Sequence, residues 1–130
     1  MAKKTSPTQR TLKALREDGW TAEVVERWNP YARIRQDLFN FIDIVAIKEG
    51  FPICGIQVTA SGASSRVAKI LAAPEHRVWL LAGGKLLVHS WAKRGAAGKR
   101  KVYTCRVLDI TLDGAVELAK VSKDLSKGFG

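Results

Sequence analysis

One aspartate stands inside an otherwise apolar run, Phe41-Ile42-Asp43-Ile44-Val45-Ala46-Ile47. The run is rich in β-branched residues and lacks a helical polar face, so it reads as a strand buried on both sides. Aspartate is disfavoured in strands and is rarely buried unless it is paired or bound to a metal. Ten residues beyond Ile47 comes Gln57, within a second apolar segment, Gly55-Ile56-Gln57-Val58-Thr59. In an extended strand Gln57 and Thr59 project from one face, Ile56 and Val58 from the other. Two neighbouring strands therefore offer a carboxylate, an amide and a hydroxyl among hydrophobic neighbours. Such a set of oxygen donors suggests a site. For Asp43 the plain alternative is a pairing with Arg35 or Arg66, or with backbone N–H groups. For Gln57 and Thr59 it is the satisfaction of neighbouring strand ends.

Positive charge is the second chemical feature. The 130 residues carry 22 Lys and Arg against 12 Asp and Glu, a net charge of +10, which favours a polyanionic partner and nucleic acid first. Arg27, Arg33 and Arg35 lie among Trp28 and Tyr31, a mixture suited to phosphate contact with some stacking on bases. Lys93, Arg94, Lys99, Arg100 and Lys101 surround Gly95 and Gly98, as in a basic hairpin tip that grips a nucleic-acid backbone. Solvated loops are the alternative for both. His89 falls opposite the apolar positions of its strand and reads as a surface or DNA-facing residue, while His76 carries no signal. Trp20, Trp79 and Trp91 read as core, and Gly83-Gly84 as a turn.

The elements that must position these groups follow from local pattern. Thr5 or Ser6 caps a helix that begins at Pro7, carries Leu12 and Leu15 on its apolar stripe, and ends at Gly19. Residues 20–28 read as a strand, 29–36 as an arginine-rich loop, 38–48 and 53–59 as two further strands. A serine-capped helix follows, with Val67, Ile70 and Leu71 on its face, and Pro74 stops it. Residues 78–82 read as a short buried strand, 86–93 as another, 94–101 as a loop, 102–110 as a strand, 113–123 as a last short helix, and 126–130 as a frayed tail. The order implies one domain with a mixed sheet between helices, an α/β fold. An apolar fraction of 46% is ordinary for such a globule.

Cys54 and Cys105 fall in strand-like apolar contexts without zinc spacing, so buried free thiols in a reducing compartment are expected, with a bridge between them left open. No apolar run reaches the length needed to span a bilayer, and the basic N-terminus has no apolar core like that of a signal peptide. A cytoplasmic location without membrane contact is expected.

Asp43 on the second strand and the polar pair on the third resemble the PD-(D/E)XK nuclease superfamily, in particular archaeal Holliday-junction resolvases and related small phage-type proteins. Those resolvases carry an Asp in a strand similar to Ile42-Asp43-Ile44-Val45-Ala46 and a Glu-x-Lys in a strand similar to Ile56-Gln57-Val58-Thr59. The likeness spans roughly residues 6–82. It implies a restriction-endonuclease-like αβββαβ core, about 6–93, with the basic hairpin and extra C-terminal strands in 94–130. It also implies a Mg²⁺- or Mn²⁺-dependent endonuclease acting on branched or structured DNA, working as a homodimer.

In such a site, carboxylates on adjacent strands hold the metal, which polarises the scissile phosphate and lowers the pKa of the attacking water. The lysine orients that water or stabilises developing charge. This chain departs from the pattern. Gln57 stands in place of the acid, Thr59 in place of the lysine, and the family's helix-one glutamate falls near Gln9. Metal ligands are thus expected from Asp43 and Gln57 with Glu26 and Asp37 as further carboxylates, and the missing positive charge from Arg66 or Lys69. Two other readings stay open, a DNA-binding module that kept the fold and lost its chemistry, and a small basic adaptor for RNA or protein.

Overall fold

The computed structural model describes residues 6–94 and 102–121. Helix α1 (Pro7–Glu17) starts where expected, with the Ser6 hydroxyl accepting the Gln9 N–H at 3.2 Å and proline in the first turn. Eight strands follow: β1 (Thr21–Val24), β2 (Arg27–Asn29), β3 (Ile34–Gln36), β4 (Ile44–Ile47), β5 (Cys54–Thr59), β6 (Lys85–Arg94), β7 (Val102–Ile110) and β8 (Ala115–Val121). Helices α2 (Ala63–Ala72) and α3 (Pro74–Leu81) lie between β5 and β6.

Six strands form one mixed sheet in the order β1-β4-β5-β6-β7-β8, and β2 with β3 forms a separate hairpin. Only β5 and β6 run parallel; every other pair is antiparallel. The chain therefore reads as a helix, three antiparallel strands, a helical crossover and a parallel strand, followed by two more antiparallel strands. The expected α/β architecture holds. All six residues of β5 are buried, as a strand flanked by β4 and β6 and covered on both faces requires. A Cβ at Gly55 would sit 2.9 Å from the Ile42 Cδ1 atom, so the buried Ile42 side chain would have to shift to admit one.

Each face of the sheet has its own apolar core. Leu12, Leu15, Ile44, Ile56, Leu87 and Val107 pack with α1 on one side. Phe41, Ile42, Ile70, Leu86, Val88 and Ile110 pack with α2 and α3 on the other. Within β4 and β5 the even positions Ile44, Ala46, Cys54, Ile56 and Val58 thus face α1, while Val45 faces α2 and α3, as does Ile42 in the turn before β4.

Several expectations fail, each for a physical reason. The strand expected over 20–28 divides into β1 and β2, and the expected 29–36 loop is mostly hairpin. The 38–48 strand is reduced to β4, because a tight turn occupies its first half. Gly62, at φ +76° and without a side-chain cap, precedes α2 in place of a serine. Pro74 does not end the helical region but starts α3, where the 78–82 strand was expected; proline suits a first helical turn. The expected helix over 113–123 is β8, because the turn at Asp113-Gly114 hands the chain to the edge of β7 and tertiary pairing overrides propensity.

His89 is fully buried and faces α1, its Nδ1 3.2 Å from the Thr11 hydroxyl, rather than facing the surface or DNA. The alternation rule misleads here because both faces of β6 are covered. His76, buried on α3, donates from Nε2 to the Thr111 carbonyl at 2.8 Å. Cys54 and Cys105 are buried and not joined by a disulfide, as expected. Among the described residues no helix is long and apolar enough to cross a membrane.

Candidate metal centre

The site is built by a turn. Leu38 and Ile42 form an antiparallel bridge, with Leu38 N–H on the Ile42 carbonyl and Ile42 N–H on the Leu38 carbonyl, both at 2.9 Å. Phe39 (φ +54°) and Asn40 (φ +69°) crown the turn in left-handed conformation. The bridge makes Asp37 and Asp43 cross-strand neighbours, which explains their six-residue spacing. The β2–β3 register pairs Arg27 with Gln36, so its next step sets Glu26 opposite Asp37. Where β1 leaves the sheet, Val25 N–H donates to the Asp43 carbonyl at 2.9 Å, which holds Glu26 close by. Carboxylate oxygens of Glu26, Asp37 and Asp43 accordingly lie within 4.8 Å of one another.

Asp43 is fixed on all sides. Its N–H donates to the Ile56 carbonyl at 2.9 Å, and its Oδ2 accepts both the Val58 N–H and the Gln57 Nε2, each at 2.8 Å. Gln57 is only 3% exposed, and its side-chain Oε1 is buried without a hydrogen-bond partner among the described residues. A flip of the amide would set that oxygen against a carboxylate, so the contact with Asp43 decides the orientation. The Gln57 carbonyl is the kind of buried oxygen that a hard cation accepts.

Charge is unevenly compensated. Arg35 lies 3.2 Å from Glu26, and Lys69 from α2 lies 3.8 Å from Asp37. Among the described residues Asp43, at 5% exposure the most buried of the three, has no cation beside it. Its pKa is pushed up from 3.8 to about 7. Burial is the main cause, and a hydrogen bond with Asp37 adds to it. The Val58 N–H opposes the rise, while the charges of Asp37 and Glu26 reinforce it. At neutral pH such a position takes up either a proton or a cation. Three carboxylates with an adjacent amide carbonyl could hold Mg²⁺ or Mn²⁺, which favour oxygen ligands.

Glu26, Asp37, Asp43, Gln57 and Lys69 are thus brought together. Thr59 is not among them: its hydroxyl donates to the Ser61 carbonyl and accepts the Ser61 N–H at 3.3 Å, shaping the turn into α2. Arg66 lies half-buried on α2, without an ion pair to the cluster. Gln9 is exposed on α1, which packs on the opposite face of the sheet. Arg33 and Arg35 are exposed on the hairpin, and Lys93 is exposed near the end of β6, its ammonium 5.6 Å over the Tyr103 ring. Arg94 ends that strand, while Lys99, Arg100 and Lys101 lie outside the described residues.

A feature that pattern reading missed is the cleft beside Asp37, about 420 Å³, lined by Arg27, Gln36, Leu38, Phe39 and Asn40 among others. The signal for it was Asn40, a turn-former inside an apparent strand. Compared with protein-family models, curated proteins and solved structures, this chain matches none.

Proposed function

We propose that this protein is a Mg²⁺- or Mn²⁺-dependent phosphodiesterase that cuts branched or structured DNA. The observation that carries this reading is the convergence of Glu26, Asp37 and Asp43, the last buried and without a cation, beside the unpartnered Gln57 carbonyl. The order of helix, three antiparallel strands, helical crossover and parallel strand supports it, being what the PD-(D/E)XK resemblance implies. A cation held there would polarise a phosphate oxygen and acidify a water.

The chain's own groups have distinct tasks in this reading. Asp43, Glu26 and Asp37 bind the cation, and Gln57 Nε2 together with Val58 N–H holds the Asp43 carboxylate in position. Lys69 supplies the positive charge that Thr59 cannot, from α2 instead of β5. The cleft beside Asp37, with Arg27 on its wall, receives the phosphate backbone.

Labelled four-way junction, flap and duplex DNA, incubated with Mg²⁺ or Mn²⁺, test the reading when wild type is run beside Asp43→Ala. The expected result is metal-dependent cutting that falls at least about 100-fold in the variant, the scale on which loss of one charge-stabilising group acts. Binding without cutting by either protein would overturn it and leave a DNA-binding fold without chemistry.

A further inference from the structure

The alternation that sets Glu26 opposite Asp37 has a second effect. Two residues outward along the β2–β3 hairpin, on the same face as the two carboxylates, the register pairs Trp28 with Arg35. Arg35 reaches back diagonally to Glu26 at 3.2 Å, which fixes the side of the ribbon this face occupies. Trp28 is 57% exposed, and among the described residues its indole makes no ring contact or side-chain hydrogen bond. Beyond it, at the hairpin tip, Tyr31 is 98% exposed.

The tip is nevertheless ordered. The Asn29 side-chain oxygen accepts the N–H groups of Tyr31 at 3.0 Å and Ala32 at 3.1 Å, and Arg33 closes the loop at φ +55°. Arg27, Arg33 and Arg35 are exposed on the same ten-residue ribbon. A two-stranded ribbon gains little stability from two bare aromatic rings. Aromatic faces interleaved with arginines match the two surfaces of a nucleic-acid strand, its bases and its phosphates.

We infer that the β2–β3 hairpin is a base-stacking arm that holds an unpaired nucleotide of the DNA strand lying at the carboxylates. This rests on the DNA-cutting function proposed above and names its substrate class. Trp28 stands two residues from Glu26, roughly 6.6 Å along the strand. The rise is about 3.4 Å per nucleotide in stacked duplex and longer in an unpaired strand, which places the stacked base at most two nucleotides from the bound phosphate. In duplex DNA the base faces are covered by their neighbours. The arm therefore selects flaps, forks and junction nucleotides over continuous duplex.

The test measures affinity of the full chain, in EDTA, for a labelled oligothymidine and a labelled duplex of equal length. Trp28→Ala and Tyr31→Ala are each expected to weaken oligothymidine binding about 5- to 100-fold, the range for removal of a stacking aromatic. Duplex affinity should stay within about twofold, and Trp28→Phe should retain most oligothymidine binding. Wild-type tryptophan emission should be quenched by oligothymidine, with the quench lost in Trp28→Ala. Equal losses on both DNAs, or none on oligothymidine, would overturn the stacking arm while metal-dependent cutting by wild type left the proposed function standing. Failure of wild type to bind or cut any DNA would overturn both.

Discussion

Asp43 is held by hydrogen bonds with Val25, Ile56, Gln57, Val58 and Asp37 yet sits where its charge is poorly supported, and that tension sets its pH behaviour. Its carboxyl keeps a proton in the folded state up to about pH 7, whereas the unfolded chain releases it near 3.8. Between those values the folded state binds more protons, so this group lowers stability as pH rises, and the full penalty applies above about 7. His89 acts in the opposite sense. Burial pushes its pKa down to about 3, so its contribution is lost as pH falls below 6.5. The wild-type profile is flattened by the two. Asp43→Asn keeps an oxygen for Val58 and Gln57 but carries no charge, so it should melt higher than wild type at about pH 8. It should also show the uncovered His89 slope, losing stability from about pH 6.5 downward. Mn²⁺ should raise the wild-type melting temperature more at about pH 8 than at about pH 5.5, since its ligands must be ionised, and should leave Asp43→Asn nearly unmoved. Thermal melts across pH, with and without Mn²⁺, check all of this; parallel profiles for the two proteins would refute the argument. Asp43 and Gln57 were legible in sequence because each is a polar residue in an apolar strand. Glu26 and Asp37 were expected beside them as further carboxylates, and the structure brings both to Asp43; the turn and the hairpin that do so are tertiary facts that local pattern did not show.

At the scale of elements, the 38–42 turn makes the site by folding an apparent strand back on itself. Its crown needs two left-handed residues, a conformation that asparagine tolerates and phenylalanine does not favour. Phe39 is retained there against an edge-to-face contact with Trp79, ring centroids 6.4 Å apart. Asn40 is exposed, so its replacement by alanine removes little packing and acts on the backbone. Asn40→Ala should cost roughly 1 kcal/mol in stability and weaken Mn²⁺ binding, because Asp37 and Asp43 are then held less firmly together. Asn40→Gly should preserve both. Calorimetric titration with Mn²⁺ beside a thermal melt reads the two effects, and an Asn40→Ala protein with wild-type metal affinity would show that the turn does not set the site. The same turn limited what could be read from the chain, since residues 38–48 are mostly apolar and strand-like and only Asn40 marks the turn within them. Asp113-Gly114 was a readable hairpin signal ahead of β8, whereas the helical identity of 78–81 depended on Pro74 starting α3 rather than stopping α2.

For the whole molecule, charge was the feature most plainly written in composition, but its distribution matters more than its sum. Seven of the 22 cations and one of the 12 acids fall in residues 1–5, 95–101 and 122–130, so six of the ten net positive charges belong to those segments. The described residues pair five of their cations with carboxylates, Arg35 and Lys69 at the carboxylate cluster among them. Under the proposed function, sequence-independent attraction to a polyanion should therefore depend strongly on Lys99, Arg100 and Lys101, while the hairpin and the carboxylates would decide what is recognised and cut. Replacing those three residues together with alanine separates the roles. Each phosphate neutralised contributes about −0.9 to the slope of log affinity against log salt on duplex DNA, so the slope should flatten by up to about 3 units. Affinity should fall on duplex, flap and junction alike, because phosphate contacts carry no sequence or structure preference. Cutting at saturating DNA should persist, since none of the three belongs to the carboxylate cluster. Anisotropy titrations at several salt concentrations, followed by single-turnover cleavage, measure both quantities. A triple variant with an unchanged salt slope would remove the 99–101 run from DNA binding and place the electrostatic work on Arg27, Arg33 and Arg35.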